Sequence, residues 1–294
     1  MAPLRAKRFF GGLLAFVVAL SVAMPPVRGV RRLARARSPY GVYSVQQIVV
    51  DGSRMRQLLH GRTVHGMARV RGAGGDDFVT AEAIGYYHPA GPFGDLFRTL
   101  PRPTRVGIVG LGCGGLLAHL AEGDRAVFYE IDPEIERLAR THFRFLEAAQ
   151  SDVEVVIGDA RRSLERSDEV FDMLFLDAFS GDAVPVHLLT RDAFDLYRAR
   201  LAPNGVLVAH VSNRIFDLRP AVLGAARHLG LDAVWMERTE FEPLETIATV
   251  VALGPRERLE PLRQAGWQEL TTTLNGRARV LTDDRASLLP MAHW

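Results

Sequence analysis

Cysteine and lysine are almost absent from this 294-residue chain, which contains one of each, Cys113 and Lys7. A single cysteine excludes an intrachain disulfide and any zinc site built from cysteines. Arginine therefore carries nearly all of the positive charge, which we interpret as a bias in composition and not as a set of phosphate-binding residues. Internal repeats are lacking as well, and the 48% hydrophobic content is that of an ordinary globular protein.

Acidic side chains are missing from residues 1–37, which hold eight basic ones: Arg5, Lys7, Arg8, Arg28, Arg31, Arg32, Arg35 and Arg37. The rest of the chain is left with 28 basic and 34 acidic residues, a net charge of −6. This balance disfavours nucleic acid as a partner and suits a cationic substrate.

The uncharged segment 9–24 is shorter than the roughly 20 residues of a membrane-spanning helix. Ser21-Val22-Ala23 resembles a signal-peptide cleavage site, so cleavage followed by export is one interpretation. More basic residues follow the segment than precede it, which favours a membrane anchor with the rest of the chain on the cytoplasmic side. We therefore predict membrane association through residues 9–24, with 1–37 forming an anchor and a basic linker.

Residues 38–103 have the pattern of short β-strands. The stretches GVYSVQQIVV and RMRQLLH flank Asp51-Gly52, a typical hairpin turn. The proline-rich stretch LPRPT at 100–104 then interrupts the pattern. We predict a small β-rich lid domain over residues 38–103.

From residue 104 to 294, continuous apolar strands alternate with helices. Such alternation predicts a doubly wound α/β domain, in which helices cover both faces of a parallel sheet. The first five predicted strands are 105–109, 126–131, 153–157, 171–176 and 206–211. Ligands of such sheets bind beyond the carboxyl ends of the strands, so the residues at those ends are the candidate site.

Glycines follow the first strand, and an acid ends the second. Gly110, Gly112 and Gly114 permit a tight turn and a close approach of a ligand to the backbone. A dinucleotide, another nucleotide-like ligand or a merely tight turn would each account for them. Glu130 is placed to accept hydrogen bonds from ribose hydroxyls, whereas Asp132 before Pro133 is typical of a helix N-cap.

The third and fourth strands end in Gly158-Asp159-Ala160 and in Asp177. Asp159 suits either an adenine amino group or a helix cap. Together with the glycine turn, Glu130 and the LAPNG lead into the fifth strand, these acids form the pattern of S-adenosylmethionine-dependent transferases. A pyridine-nucleotide dehydrogenase would explain only the glycine turn and Glu130.

The chain resembles the spermidine synthase (polyamine aminopropyltransferase) family, and most nearly its bacterial branch in which the catalytic domain is attached to membrane segments. The matching stretches include LLHGRTVHGMA, YYHPAGPFG, VGIVGLGCGG, YEIDP, LDAFSGDAVPVHLLTRDAF, LAPNGVLVAHVSNR and LTDDRASLLP. The resemblance implies a Rossmann-like catalytic domain of the methyltransferase type, preceded by a β-rich domain. It also implies a homodimer.

In that family the donor is decarboxylated S-adenosylmethionine, a co-substrate and not a permanently bound cofactor, and no metal is needed. The acceptor is a diamine such as putrescine. The resemblance assigns six residues to the donor: Gly110, Gly112, Gly114, Glu130, Asp159 and Ala160. Ordinary S-adenosylmethionine remains an alternative donor.

Asp177 matches the family's catalytic carboxylate, which accepts the proton of the attacking amine. Tyr87, His65, Ser180 and Asp182 are the residues that the resemblance places around the acceptor. Ser180 stands where typical members have a second Asp, and His65 stands where they have a Gln. These two departures leave open an acceptor amine other than putrescine. Two other functions stay open: a methyltransferase of the same fold, and a non-catalytic membrane module that senses a nucleotide.

Overall fold

The computed structural model of the chain describes residues 29–292 apart from 51, 73–76, 103–104, 179–184, 214 and 239–243. Five N-terminal strands form an antiparallel sheet in chain order: β1 (Arg31–Ser38), β2 (Gly41–Val50), β3 (Ser53–His60), β4 (Thr63–Arg71) and β5 (Phe78–Val79). β2 and β3 pair as the predicted hairpin, with Val50 opposite Ser53. We call this sheet the lid sheet.

Residues 31–37, assigned to a linker on composition, belong instead to β1. The strand pairs antiparallel with β2, and its side chains alternate. Arg35 and Arg37 are exposed, whereas Ala34 and Ala36 pack against the core. Alternation of small apolar residues with arginines is therefore suited to an edge strand with one face in solvent. A count of charges does not show this alternation.

The predicted membrane association is corrected by the helices of the structure. Across the described part of the chain, no helix has both the length and the apolar character needed to cross a bilayer. Residues 9–24, on which the prediction of an anchor depended, lie outside the described residues.

The second sheet has eight strands: β6 (Arg105–Val109), β7 (Arg125–Glu130), β8 (Asp152–Ile157), β9 (Phe171–Leu176), β10 (Leu201–His210), β11 (Asp232–Glu237), β12 (Thr249–Gly254) and β13 (Gln268–Glu269). Its order is β13-β11-β12-β10-β9-β6-β7-β8. The five strands from β10 to β8 are parallel, and β11, β12 and β13 are antiparallel additions. The predicted doubly wound α/β fold is confirmed. Strand order reverses between β6 and β9, where such sheets bind ligands.

The described helices are α1 (Pro92–Thr99), α2 (Pro133–His142), α3 (Phe145–Ala148), α4 (Ala160–Arg166), α5 (Arg191–Ala199), α6 (Arg219–Leu229), α7 (Arg256–Gln264) and α8 (Leu270–Thr273). Short 3₁₀ helices span Gly115–His119, Val186–Leu188 and Leu289–Met291. α2 and α3 are separated at Phe143, whose backbone is extended and whose ring is buried.

Side chains of β9 alternate between two hydrophobic cores. Met173 and Phe175 join the core that also contains lid-sheet and α1 residues, whereas Leu174 and Leu176 join the core against α5 and α6. We call the eight-stranded sheet the large sheet, and the side of it on which Met173 and Phe175 lie its lid face. Because strand side chains alternate, the residue after Leu176 is directed toward the lid face. That residue is Asp177.

Candidate active site

The glycine turn after β6 is packed against two other parts of the chain. Gly110 and Gly112 have φ values of +99° and +55°, in the region that favours glycine. A Cβ atom on Gly110 would lie 2.3 Å from the Asp177 carbonyl oxygen, and one on Gly112 would lie 2.4 Å from that of His65. The turn therefore brings the end of β9 and the lid strand β4 together at one point.

Glu130 ends β7 and is tied to the glycine turn. One carboxylate oxygen accepts the Leu111 N–H at 3.0 Å, and the other accepts the Asp132 N–H at 2.9 Å. Burial raises the pKa of Glu130 above its ordinary value, although these backbone bonds oppose that shift. Its carboxylate is thus held at one orientation at the edge of the sheet.

Two acids begin helices, as the sequence indicates. Asp132 caps α2 by accepting the Glu134 N–H at 2.9 Å, which confirms its predicted role. Asp159 caps α4 by accepting the Arg162 N–H at 3.0 Å. Asp159 also lines the cavity described below, so the cap and a ligand contact are compatible; the contact with adenine stays a prediction.

Two side chains hydrogen-bond to Asp177, one from the segment between β5 and α1 and one from β10. Its Oδ2 accepts the Tyr87 hydroxyl, and its Oδ1 lies 2.7 Å from Nδ1 of His210. The Asp177 side chain is 10% exposed. Burial, and next the charge of Asp177, raises the pKa of Tyr87 well above its ordinary value, so the phenol keeps its proton and donates.

His210 is a site residue that sequence reasoning missed. It ends β10, the strand that pairs with β9 so that Ala209 lies opposite Leu176. The next residues along the two strands, His210 and Asp177, are therefore neighbours. Reasoning from strand ends passed over it because the predicted fifth strand extends to residue 211, whereas the strand in the structure ends at His210.

These residues surround one cavity of about 650 Å³, a size typical of small-molecule sites. Of the residues assigned to the donor, those that line the cavity are Gly110, Gly112, Glu130, Asp159 and Ala160. Gly114 is instead the N-cap of the 3₁₀ helix that follows, with φ +85°. His65, Asp177 and His210 also line the cavity, while Tyr87 reaches it through Asp177. Ser180 and Asp182 lie outside the described residues.

The cavity has an acidic character. Glu130, Asp159 and Asp177 contribute carboxylates to it, whereas its lining, over the described residues, includes no arginine or lysine. In a chain with 36 basic side chains this distribution is selective. The site is suited to a cationic ligand.

His65 brings an uncharged imidazole to the cavity at neutral pH. Burial, and next the nearby His60, lower its pKa to about 4, although the charge of Asp177 opposes the shift. Its ring lies 5.7 Å from that of His60. Neutral histidine both donates and accepts hydrogen bonds, which suits contact with an amine.

Acidification should destabilise the protein partly through His65. The unfolded residue titrates near pH 6.5 and the folded one near 4, so between these values the unfolded state binds more protons and stability falls as pH falls. The loss reaches at most about 3 kcal/mol below pH 4. Urea unfolding at pH 7 and pH 4.5 should differ less for His65→Gln than for the wild type. The same substitution at the exposed His228 is the control and should leave the difference in stability between the two pH values as in the wild type. If that difference is as large for His65→Gln as for the wild type, the lowered pKa of His65 is wrong.

Known proteins resemble the chain in sequence and in fold. A family described as S-adenosyl-L-methionine-dependent methyltransferase matches residues 132–221. The polyamine aminopropyltransferase of Vibrio vulnificus is 34% identical over 125 residues, 40% of this chain and 41% of that protein. The crystal structure of spermidine synthase from Thermotoga maritima has a TM-score of 0.55 at 13% identity, covering 90% of this chain and 84% of that one.

Over part of its length the chain is therefore similar in sequence to polyamine aminopropyltransferases, and it is similar in fold to spermidine synthase. A further structure, spermidine synthase in complex with the transition-state analogue AdoDATO, has a TM-score of 0.53 at 15% identity and covers 86% of this chain and 83% of that one. At these identities the structural likeness concerns the fold. The sequence matches span about half the length of the curated relatives or less.

Proposed function

We propose that this protein transfers an aminopropyl group from decarboxylated S-adenosylmethionine to putrescine or a related amine, releasing 5′-methylthioadenosine. One observation carries the proposal: Asp177, held by two hydrogen bonds, shares an acidic cavity with the glycine turn and Glu130. The names of the relatives support the same activity.

The proposed reaction needs a group that takes a proton from nitrogen. An ammonium has no lone pair, so the acceptor amine must be neutral when it attacks the carbon beside the sulfonium. The lone pair then forms the C–N bond, the C–S bond breaks with its electrons moving to sulfur, and the nitrogen loses a proton. Asp177 accepts that proton, and its charge orients the cationic amine beforehand.

The lining of the cavity supports a decarboxylated donor. Ordinary S-adenosylmethionine carries a carboxylate, whose burial near Asp177 without an arginine or lysine to pair with it would be costly. The described lining offers no arginine or lysine to pair with it. The decarboxylated donor carries only positive charge in that part of the molecule, which the Asp177 carboxylate favours.

Acceptor recognition involves the lid side of the cavity in this proposal. Tyr87 orients Asp177, and neutral His65 offers the amine a hydrogen bond. Ser180 and Asp182 remain proposed acceptor contacts on the basis of the resemblance. His65 replaces the usual Gln of the family, so an amine other than putrescine is included among the acceptors.

Product analysis tests the proposal directly. Purified protein incubated with putrescine and decarboxylated S-adenosylmethionine should release 5′-methylthioadenosine and an aminopropylated amine, both detectable by mass spectrometry. Ordinary S-adenosylmethionine should give neither product. A panel of other amines should be included, and failure of every amine despite tight donor binding would overturn aminopropyl transfer and favour a non-catalytic nucleotide-binding role.

A methyltransferase of the same fold is the second candidate. The match of residues 132–221 to a methyltransferase family favours it. The two activities leave different adenosyl products from different donors. Release of S-adenosylhomocysteine from ordinary S-adenosylmethionine, with a methylated amine, would establish methyl transfer in place of the first proposal.

A further inference from the structure

We propose that His210 is a positioning residue for the reaction, holding the Asp177 carboxylate in the orientation in which it accepts the proton of the amine. The inference rests on the proposed function. It follows from the placement of His210 in the sheet, from the direction of its hydrogen bonds and from the second bond that Asp177 receives.

The sheet itself places His210 beside Asp177. Both residues follow paired positions of β10 and β9, and their side chains are 11% and 10% exposed. The Phe93 ring packs edge-on against the imidazole, with 5.6 Å between ring centroids, and Tyr86 lies at 5.1 Å. The imidazole is therefore held on several sides.

The partners of the imidazole determine which nitrogen carries the proton. An ionised carboxylate only accepts hydrogen bonds, so the 2.7 Å contact with Asp177 requires a proton on Nδ1 of His210. On the other side, Nε2 lies 2.9 Å from the Ser212 hydroxyl, whose oxygen accepts the Thr249 N–H at 2.7 Å. Ser212 thus donates its own proton to Nε2 when the imidazole is neutral, which fixes the tautomer that serves Asp177.

Asp177 is restrained from two directions by this arrangement. Tyr87 holds Oδ2 from the lid side, and His210 holds Oδ1 from the neighbouring strand. Each carboxylate oxygen has a second lone pair, and Asp177 lines the cavity. With only the Tyr87 bond, the carboxylate would rotate about its side-chain bonds, and misplaced groups lose much of their catalytic effect.

Three substitutions of His210 separate positioning from general packing. The amide nitrogen of Asn overlies Nδ1 of histidine, so His210→Asn retains a donor toward Asp177. The longer Gln places its amide at Nε2, so His210→Gln retains the contact with Ser212 but not the one with Asp177. His210→Ala removes both contacts. His228→Ala is the matched control, since His228 makes a 2.7 Å contact with Asp195 at the surface.

We expect His210→Ala and His210→Gln to lower kcat by about 100-fold, while His210→Asn recovers to within about tenfold of the wild type. The Kd of the donor, measured by calorimetry, should change by less than about threefold in all variants, because His210 acts on Asp177 and not on the donor. His228→Ala should behave as the wild type. Thermal melting of each variant shows that the fold is retained.

Several results would overturn the inference while the proposed function stands. These are a kcat for His210→Ala equal to that of the wild type, a His210→Gln variant as fast as His210→Asn, an Asn variant as slow as Ala, or donor affinity that falls in parallel with kcat. A wild-type protein that forms no 5′-methylthioadenosine under any condition would instead overturn the proposed function, and the inference with it.

Discussion

Asp177→Asn should reduce the rate of aminopropyl transfer by about 100- to 10,000-fold, with a much smaller loss of donor affinity. The Asn amide keeps the shape of the side chain and still accepts the Tyr87 hydroxyl, but it cannot take a proton from the attacking amine. The measurement is kcat from release of 5′-methylthioadenosine, together with the donor Kd by calorimetry.

Asp172→Asn on the same strand is the matched control. Asp172 is the second residue of β9, at the end opposite to Asp177 and outside the cavity lining. It accepts the Arg105 N–H at 3.0 Å, a bond that Asn can also accept. We expect this variant to retain the wild-type kcat. A rate for Asp177→Asn within about threefold of the wild type would exclude Asp177 as the main proton acceptor.

Gly110→Ala should destabilise the protein by about 2–6 kcal/mol and disrupt the site in the molecules that still fold. Its φ of +99° is costly for any residue with a Cβ, and that Cβ would lie 2.3 Å from the Asp177 carbonyl oxygen and 2.9 Å from the carbonyl carbon. The obstacle is backbone, which cannot rotate away as a side chain can. Urea unfolding gives the loss of stability.

Gly123→Ala separates backbone strain from the close approach. Gly123 has a similar φ of +88°, but a Cβ there would meet nothing within 4 Å. We expect it to cost only about 1 kcal/mol. If Gly110→Ala is no more destabilising than Gly123→Ala, the contact between the glycine turn and the end of β9 is wrong.

Much of the large sheet is readable from local pattern. Continuous apolar strands, the Asp132-Pro133 helix start and the glycine turn each reflect interactions over a few residues, and the structure has all three. Strand-end reasoning also identifies Glu130 and Asp177 as residues directed toward one edge, since parallel strands must share it.

Other features escape such reasoning because they depend on partners distant in sequence. β1 is hidden by its arginines until pairing with β2 shows that the small residues between them face the core. Asp159 both caps a helix and lines the cavity, and only its position in the folded chain shows that the two roles are compatible. The prediction of membrane association depended on residues 9–24, and among the described helices none is suited to span a membrane.

By itself, the sequence determined the fold class and the acids at the ends of the second, third and fourth strands, because strand periodicity and turn chemistry are local. The hydrogen-bond partners and packing neighbours of those acids follow only from the tertiary structure. Tyr87 and His210 meet Asp177 across 90 and 33 residues of chain, and the lid strand meets the glycine turn at Gly112. Such contacts result from strand order and from the packing of the lid sheet on the large sheet, and no short stretch of sequence encodes them.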